Sequence, residues 1–249
     1  DKVPDFMRRV TREKIVAAGG AELTGEQTQD IANSVMLAIN AATRASEIEP
    51  NSVSNLVMRG SVYRDVMSFA QGAEDLAASM FLNAIQLEPV NPVHRANLGR
   101  VYLAVSERAR AIKGSEDPET AKQAADQEVS LLATAEQAFT SAIQLKSDYL
   151  PAHYYLAAVY ERQGKLDQAA ARLLALRNNN LADIGIAFQL SQLLIRLEQY
   201  DTATQELERI LKLNSNYSNA LWYLASMYEI SDRQDEAIDL IERVVQINP

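Results

Sequence analysis

The stretch that decides the fold is residues 150–176, LPAHYYLAAVYERQGKLDQAAARLLAL. Its apolar positions return at a fixed offset of 34 residues, so that the triplet Leu156, Ala157 and Tyr160 recurs as Leu190, Ser191 and Leu194 and then as Leu224, Ala225 and Tyr228. The same step relates Ala169, Ala203 and Ala237, and it relates Leu173, Leu207 and Ile241. A period of about 20 to 50 residues is typical of solenoids. The sequence therefore predicts an all-α chain of stacked helix pairs that holds a partner on an extended surface.

Each repeat contains two amphipathic helices joined by a tight turn. In residues 150–181 the first helix is predicted to bury His153, Leu156, Ala157 and Tyr160, which follow the helical i, i+3, i+4, i+7 spacing. Gly164 suits the left-handed turn that follows. The second helix is predicted to bury Leu166, Ala169, Leu173 and Leu176. Small residues at 157 and 169 allow the two helices to approach closely.

An earlier repeat carries an insertion. Tyr102 in its first helix and Ala135 in its second are 33 residues apart, whereas Tyr160 and Ala169 are 9 apart, so the insertion has 24 residues. It contains a turn signal ending in Asp117 and Pro118, an N-cap and first-turn pair for the second arm. We predict that both helices lengthen by about three turns into a projecting hairpin. Its apolar Ile112, Val129 and Leu132 either pack within the hairpin or dock on another subunit or domain. The alternative is a tolerated insertion without a role.

The N-terminal part fits the pattern less closely. Residues 26–49 are predicted to be the second helix of a first pair, with Thr24 and Gln27 as a capping box, and residues 5–18 its first helix, ending at Gly19-Gly20. Closing prolines stand at Pro50, Pro89 and Pro249. We therefore divide the chain into a degenerate pair at 1–50 and an array over 51–249 with five repeats: 51–89, 92–147 with the hairpin near 106–130, 150–181, 184–215 and 218–249.

Composition narrows the classes of function. The net charge of −9 argues against nucleic acid as the partner, because phosphate binding needs a basic surface. The absence of cysteine excludes disulfides, thiolate metal sites and a cysteine nucleophile. No apolar run is long enough to span a membrane, and no signal peptide is visible. We interpret the chain as a piece of a longer protein.

The pattern resembles the tetratricopeptide repeat family over about residues 50–249, most clearly at Leu98-Gly99, Tyr102, Ala135, Phe139 and Ala142. The resemblance implies a right-handed superhelix in which the first helices line a concave groove for an extended peptide or a partner helix. One subgroup of the family grips a C-terminal carboxylate with Lys and Asn, which this chain replaces with Arg64, Asn97 and Arg100. Residues 59–92 also resemble repeat tails of multi-pass bacterial envelope proteins.

The predicted groove contains both aromatic and polar side chains. Tyr154, Phe188 and Trp222 stand two residues before the key leucines, each followed by Tyr155, Gln189 or Tyr223, and would form a stacking ladder. The alternative is that these rings pack between neighbouring first helices. The polar candidates are Arg64, Asn97, Arg100, Glu161, Arg162, Gln192, Arg196, Asn219 and Ser226, whose arginines suit an anionic or C-terminal peptide. Their alternative role is that of solvated surface charges.

These observations predict a non-enzymatic scaffold that binds a protein or peptide partner, needs no cofactor or metal and does not insert into a membrane. His94 and His153 have no ligands at metal-binding spacing, and no nucleophile motif or phosphate loop is present. The alternative is an assembly module that self-associates through its open C-terminal end or its hairpin. The compartment stays open between the cytoplasm and the soluble face of a bacterial membrane protein.

Overall fold

The described part of the chain is helical throughout. The structure is a computed structural model that describes residues 24–49, 52–67 and 70–247. Within those ranges it contains no strand and eleven helices: α1 (Gly25–Ile48), α2 (Val53–Asp65), α3 (Ala73–Leu87), α4 (Pro92–Ile112), α5 (Pro118–Leu145), α6 (Leu150–Arg162), α7 (Leu166–Asn179), α8 (Ile184–Arg196), α9 (Tyr200–Leu213), α10 (Ser218–Ile230) and α11 (Gln234–Ile247). The predictions at residues 5–20, Pro50 and Pro249 lie outside the described residues.

The helices form two compact units, one up to Tyr149 and one from Leu150 onwards. In the first unit α1 packs on α2, α2 pairs with α3, α3 packs on α4, and α4 pairs with α5. In the second unit the pairs are α6–α7, α8–α9 and α10–α11, with α7 packed on α8 and α9 on α10. The second helices α3, α7 and α9 thus each contact both their own first helix and the next one. This arrangement of stacked helix pairs confirms the predicted all-α solenoid class.

Local signals in the sequence account for where helices begin. Thr24 and Gln27 form the predicted capping box, with the Gln27 amide donating to Thr24 Oγ1 at 3.2 Å and the Thr24 amide donating to Gln27 Oε1 at 3.0 Å. At the start of α5 the carboxylate of Asp117 accepts from the Thr120 amide at 3.0 Å, and Pro118 is the first helical residue. Both predicted caps are confirmed.

The turn between the two helices of a pair places one residue in the left-handed region. Gly164 has φ of 75°, and Glu198 and Asp232, which follow at steps of 34 residues, both have φ of 59°. The left-handed conformation costs glycine little but costs residues with a Cβ more. The turn geometry is therefore kept in all three repeats of the second unit, although only one of them uses glycine.

The close approach of the helices in a pair depends on one small and one large residue, which we call the small–large pair. A Cβ at Gly99 would lie 2.8 Å from two ring carbons of Phe139, and a Cβ at Gly60 would lie 3.0 Å from the Phe81 ring. Both rings are fully buried. In the second unit the equivalent residues are Ala157 with Leu173, Ser191 with Leu207 and Ala225 with Ile241. The smaller the residue in the first helix, the larger its partner in the second.

The α4–α5 pair forms the predicted elongated hairpin, but its arms lengthen unequally. The helix α4 has 21 residues against 13 in α6, and α5 has 28 against 14 in α7. The arms bury Ser106, Ala109, Ala124, Glu128 and Leu132. Ile112 and Val129 stay 49% and 69% exposed. The hairpin therefore packs on itself through mostly small residues and leaves two apolar side chains in solvent; a function for it stays a prediction.

Candidate functional site

The first helices of the second unit, α6, α8 and α10, are linked to one another by side-chain bonds. Three links connect consecutive repeats: Gln189 Nε2 donates to Tyr154 Oη at 2.6 Å, Gln192 Nε2 donates to Tyr223 Oη at 3.2 Å, and Arg196 forms an ion pair with Glu161. All six residues belong to the predicted groove set. The structure therefore places these polar candidates side by side on one surface, and it engages them with each other. We call this surface, made by α6, α8 and α10, the first-helix face.

The aromatic candidates of this face differ in exposure. Phe188 packs edge-to-face against Tyr217 at 5.4 Å and against Tyr223 at 5.5 Å between ring centroids. Tyr154 and Tyr155 meet edge-on at 5.5 Å. These contacts are of the type that fixes ring orientation as well as burying area. Phe188 thus packs between α8 and the start of α10. This contact agrees with the alternative prediction, in which these rings pack between neighbouring first helices.

Trp222 is exposed. Its side chain retains 55% of its accessible surface, although it occupies the same position in its repeat as the half-buried Tyr154 and Phe188. Asn219, one turn earlier, is also exposed, and Ser226, one turn later, donates its hydroxyl to the Trp222 carbonyl at 3.3 Å. The spacing of three and four residues puts all three on one stripe of α10. We call Asn219, Trp222 and Ser226 the Trp222 patch.

Tyr154 remains a neutral hydroxyl at the edge of the face. Burial raises the pKa of this phenol, and the nearby Tyr155 and Asp183 raise it further. The oxygen accepts from Gln189 and keeps its own proton, which leaves a hydroxyl donor. The remaining candidate of α6, Arg162, is half-buried at the C-terminal end of the helix. The face thus combines aromatic rings, neutral hydrogen-bonding groups and the charged side chains of Glu161, Arg162 and Arg196.

The candidates in the first unit form a separate cluster. Arg64 Nη1 donates to Asn97 Oδ1 at 3.2 Å, Arg100 Nη1 approaches the same oxygen at 3.5 Å, and Arg64 Nη2 lies 2.8 Å from Asp65 Oδ1. The side chain of Arg64 is only 8% exposed. The structure therefore brings Arg64, Asn97 and Arg100 together, with the charge of Arg64 already balanced by a carboxylate.

The two histidines take part in hydrogen bonds, His153 within a helix pair and His94 with the connection that precedes its helix. His153 was predicted to lie on the buried stripe, but it is half-buried and its Nδ1 accepts from Arg172 Nη1 at 2.8 Å. His94 is the more deeply buried, and its Nε2 donates to Glu88 Oε2 at 2.8 Å. This bond, together with one from Asn91, lowers the pKa of the Glu88 carboxyl. Among the residues the structure describes, no group of three or more histidines and carboxylates could hold a metal ion.

Sequence reasoning missed two features of the second unit. The ring of Tyr217 packs against that of Phe188. Tyr217 stands immediately before α10, and Asp183 stands immediately before α8, one 34-residue step earlier, so the repeat period could have identified this position. Glu206 falls on the buried stripe of α9 with Ala203, Leu207 and Ile210, and it is 2% exposed. A charged residue on an apolar stripe predicts a buried ion pair. Its partners are Arg177 and, at 3.2 Å from Nε, Arg209.

Comparison with known proteins agrees with this architecture. Residues 188–249 match the family model described as tetratricopeptide repeat. The transcription factor tau subunit sfc4 of Schizosaccharomyces pombe is 28% identical over 117 residues, which cover 46% of this chain and 12% of the yeast protein. The chain thus matches a small part of that relative's length. A membrane-spanning helix needs a continuous apolar stretch, and none of the helices in the described ranges contains one of sufficient length.

Several solved structures share this fold at low sequence identity. The PilF protein of Pseudomonas aeruginosa is 16% identical with a TM-score of 0.60, covering 100% of this chain and 93% of its own. TTC0263, a thermophilic repeat protein of Thermus thermophilus, is 18% identical with a TM-score of 0.58, covering 90% and 98%. YrrB, described as having an unusual peptide-binding site, is 16% identical with a TM-score of 0.57, covering 85% and 94%. The match in residues 188–249 and the fold shared with these proteins support the predicted resemblance to the tetratricopeptide repeat family.

Proposed function

We propose that the first-helix face binds an extended segment of a partner protein, with Trp222 as its main anchor. Tetratricopeptide repeat proteins are generally non-enzymatic interaction modules, and the helix pairs described above have that architecture. The observation that carries the proposal is the 55% exposure of Trp222 at a position where the preceding repeats hold half-buried rings. Large aromatic side chains of this kind dominate binding energy at protein interfaces.

The links between repeats support this role. Because Gln189, Gln192 and Arg196 bind side chains of neighbouring first helices, the surface around Trp222 is held in one arrangement before a ligand arrives. A preorganised surface loses less conformational entropy on binding. These residues therefore act as positioning groups, and Trp222 and Asn219 act as contacts.

The chemistry of the face selects an apolar ligand with backbone polar groups. The charge of Arg196 is balanced by Glu161, so an anionic partner would have to compete with an existing ion pair. Trp222 offers an apolar surface, and Asn219 offers both a donor and an acceptor. A segment with one aliphatic or aromatic side chain and an adjacent exposed peptide group fits this arrangement. Capture of a free C-terminal carboxylate is a second form of this proposal. The experiment below distinguishes it from binding of an internal segment.

The test uses the chain's single tryptophan as a reporter. Peptide pools with free or amidated C-termini are titrated against Trp222 emission, with light scattering recorded in parallel. A saturable shift at unchanged mass supports the proposal, and loss of that shift on amidation assigns carboxylate capture. The absence of a saturable shift for any pool contradicts binding at Trp222.

Variants locate the site independently of fluorescence. With labelled peptide and anisotropy as the readout, we expect Trp222→Ala to weaken binding at least about 30-fold, since hot-spot truncations cost about 2 kcal/mol or more. The matched control is Leu174→Ala on the second helix α7, which removes a large exposed side chain of the same unit outside the first-helix face. Equal effects of the two substitutions would place the peptide elsewhere.

A second candidate function is self-association through α11. In this helix only Leu240 is buried, while Ile238 and Val245 are 56% and 61% exposed. Ala237, Ile238 and Ile241 line an open cavity of about 370 Å³ together with polar residues. Mass measured as a function of protein concentration tests this function. A mass that rises with concentration in the original chain, and does not rise in the Ile238→Lys variant, supports it, and a constant mass rejects it.

A further inference from the structure

A groove in the first unit lies between the second helices α3 and α5, with the first helix α4 as its floor. Its apolar lining consists of Ala78, Leu82, Val101, Tyr102, Val105 and Leu131. Its polar edge includes Glu74 and Asp75 in the first turn of α3. We call this groove the acidic trench. It encloses about 600 Å³ and shares no residue with the first-helix face.

The trench is wide because of the hairpin insertion. Its wall on the α5 side is formed by Gln127 and Leu131, which precede Leu132, the residue equivalent to Leu166 at the start of the regular second helix. The inserted turns of α5 therefore extend along the side of α3 and deepen the space above Val105. A regular pair, with a second helix of 14 residues, has no equivalent wall. The insertion thus creates a surface that the repeat pattern alone does not provide.

The acidic edge lacks a full set of partners. Arg108 binds Glu74 Oε1 at 2.7 Å and also donates to the Met67 carbonyl at 3.2 Å. The other carboxylate oxygen of Glu74, Oε2, is buried and accepts no hydrogen bond within the described residues. Among the described residues that line the trench, none is a lysine or arginine that could balance Asp75. Asp75, in contrast, is exposed, so its carboxylate favours a ligand that brings a cation.

We propose that the acidic trench binds an amphipathic helix of a partner protein that presents aliphatic side chains and, near one end, a lysine or arginine. Lining residues on each wall are spaced by four, as Ala78 with Leu82 and Gln127 with Leu131, so that the ridges of a helix can enter between them. The aliphatic side chains cover Leu82 and Val105. The cation pairs with the exposed Asp75 carboxylate at the edge of the trench.

The test is selection of short helical peptides from a displayed random library against the whole chain, followed by anisotropy of the selected peptides. We expect peptides with aliphatic residues at i and i+4 and a lysine or arginine within the next turn. Leu82→Lys and Asp75→Lys should each weaken them at least about tenfold. The matched control is Leu87→Lys, since Leu87 lies on the same helix with 49% exposure against 45% for Leu82 but does not line the trench.

A conservative variant tests the role of the cation. Asp75→Asn should weaken the selected peptides and should leave unchanged the same peptides with methionine in place of the basic residue. Peptides that lose binding with Trp222→Ala but not with Leu82→Lys belong to the first-helix face and do not support the trench. A library that yields no peptide sensitive to Leu82→Lys, or yields sensitive peptides without a basic residue, overturns the proposal.

Discussion

At Gly99 the backbone of α4 comes so close to the Phe139 ring that a methyl group would overlap it. The ring cannot move aside easily, because Phe139 is fully buried. In a helix interior glycine is otherwise unfavourable by about 1 kcal/mol relative to alanine. The chain therefore accepts a weaker helix at this residue in order to bury a larger ring in the second helix.

We predict that Gly99→Ala lowers the free energy of unfolding, since overpacking costs about 1–3 kcal/mol and the gain in helix propensity recovers only about 1 kcal/mol. Phe139→Leu alone should cost about 1–2 kcal/mol through the space it leaves. The double variant should be more stable than the sum of the two losses by at least about 1 kcal/mol. Chemical denaturation of the four proteins measures this coupling. Strictly additive losses would show that the two side chains do not constrain each other.

Between helices α7 and α9 the stability of the second unit depends on a buried charge. Glu206 is 2% exposed and binds both Arg177 and Arg209. Burial lowers the pKa of the Arg177 guanidinium, and the neighbouring Arg209 lowers it further. The carboxylate of Glu206 is what compensates these two cations.

We predict that Glu206→Gln destabilises the protein by about 1–3 kcal/mol, less than for a fully enclosed pair because both arginines retain some access to water. Chemical denaturation provides the measurement. The control is Glu242→Gln on α11, an exposed residue that is expected to change stability by less than about 0.5 kcal/mol. A similar, small effect of the two substitutions would mean that the arginines are satisfied without Glu206.

The hairpin allows a test of a single helix cap. The Thr120 hydroxyl and amide both donate to the Asp117 carboxylate and lower its pKa. Because the folded pKa is the lower one, the cap stabilises α5 above the ordinary carboxyl pKa and is lost as the pH falls through the folded pKa. We predict that Asp117→Ala speeds amide hydrogen exchange in the first turns of α5 at neutral pH and leaves exchange in α7 unchanged. At a pH well below both the folded and the unfolded pKa of Asp117, these amides should exchange at the same rate in the variant and in the original chain. A difference that persists at that pH would show that the cap does not depend on ionised Asp117.

Helices and their ends were largely predictable, whereas the contacts of the first-helix face were not. The capping box at Thr24 and the cap at Asp117 use local signals, and the helix pairs follow from the 34-residue period. Gln189 and Tyr154, by contrast, are separated by one repeat, and their bond depends on the rise and rotation between α6 and α8. A periodic pattern specifies which residues share a position, but it does not specify that rotation. Binding at the predicted face accordingly stays a proposal.

At the scale of the whole molecule, each unit contains its own core. One core runs from Ala157 to Leu240 within the second unit, and another, which includes Ile31 and Phe81, lies within the first. The second unit has three helix pairs, which is about the number at which stacked repeats become stable.

We predict that residues 150–249 expressed alone remain helical, unfold cooperatively and bind Trp222-directed peptides as the whole chain does. Circular dichroism and anisotropy measure these properties, and an unfolded product would show that the unit depends on residues before Leu150.

The small–large pair also sets limits on how this chain can be recombined. A second helix carrying phenylalanine, such as α5, requires glycine opposite it, whereas α7, with Leu173, tolerates alanine. Transplanting α5 alone into a repeat whose first helix has Ala157 would create a clash, and transplanting α7 opposite Gly99 would leave a void. Gene shuffling and repeat engineering must therefore move both helices of a pair together. The helical pair, and not the single helix, is the smallest exchangeable part of this protein.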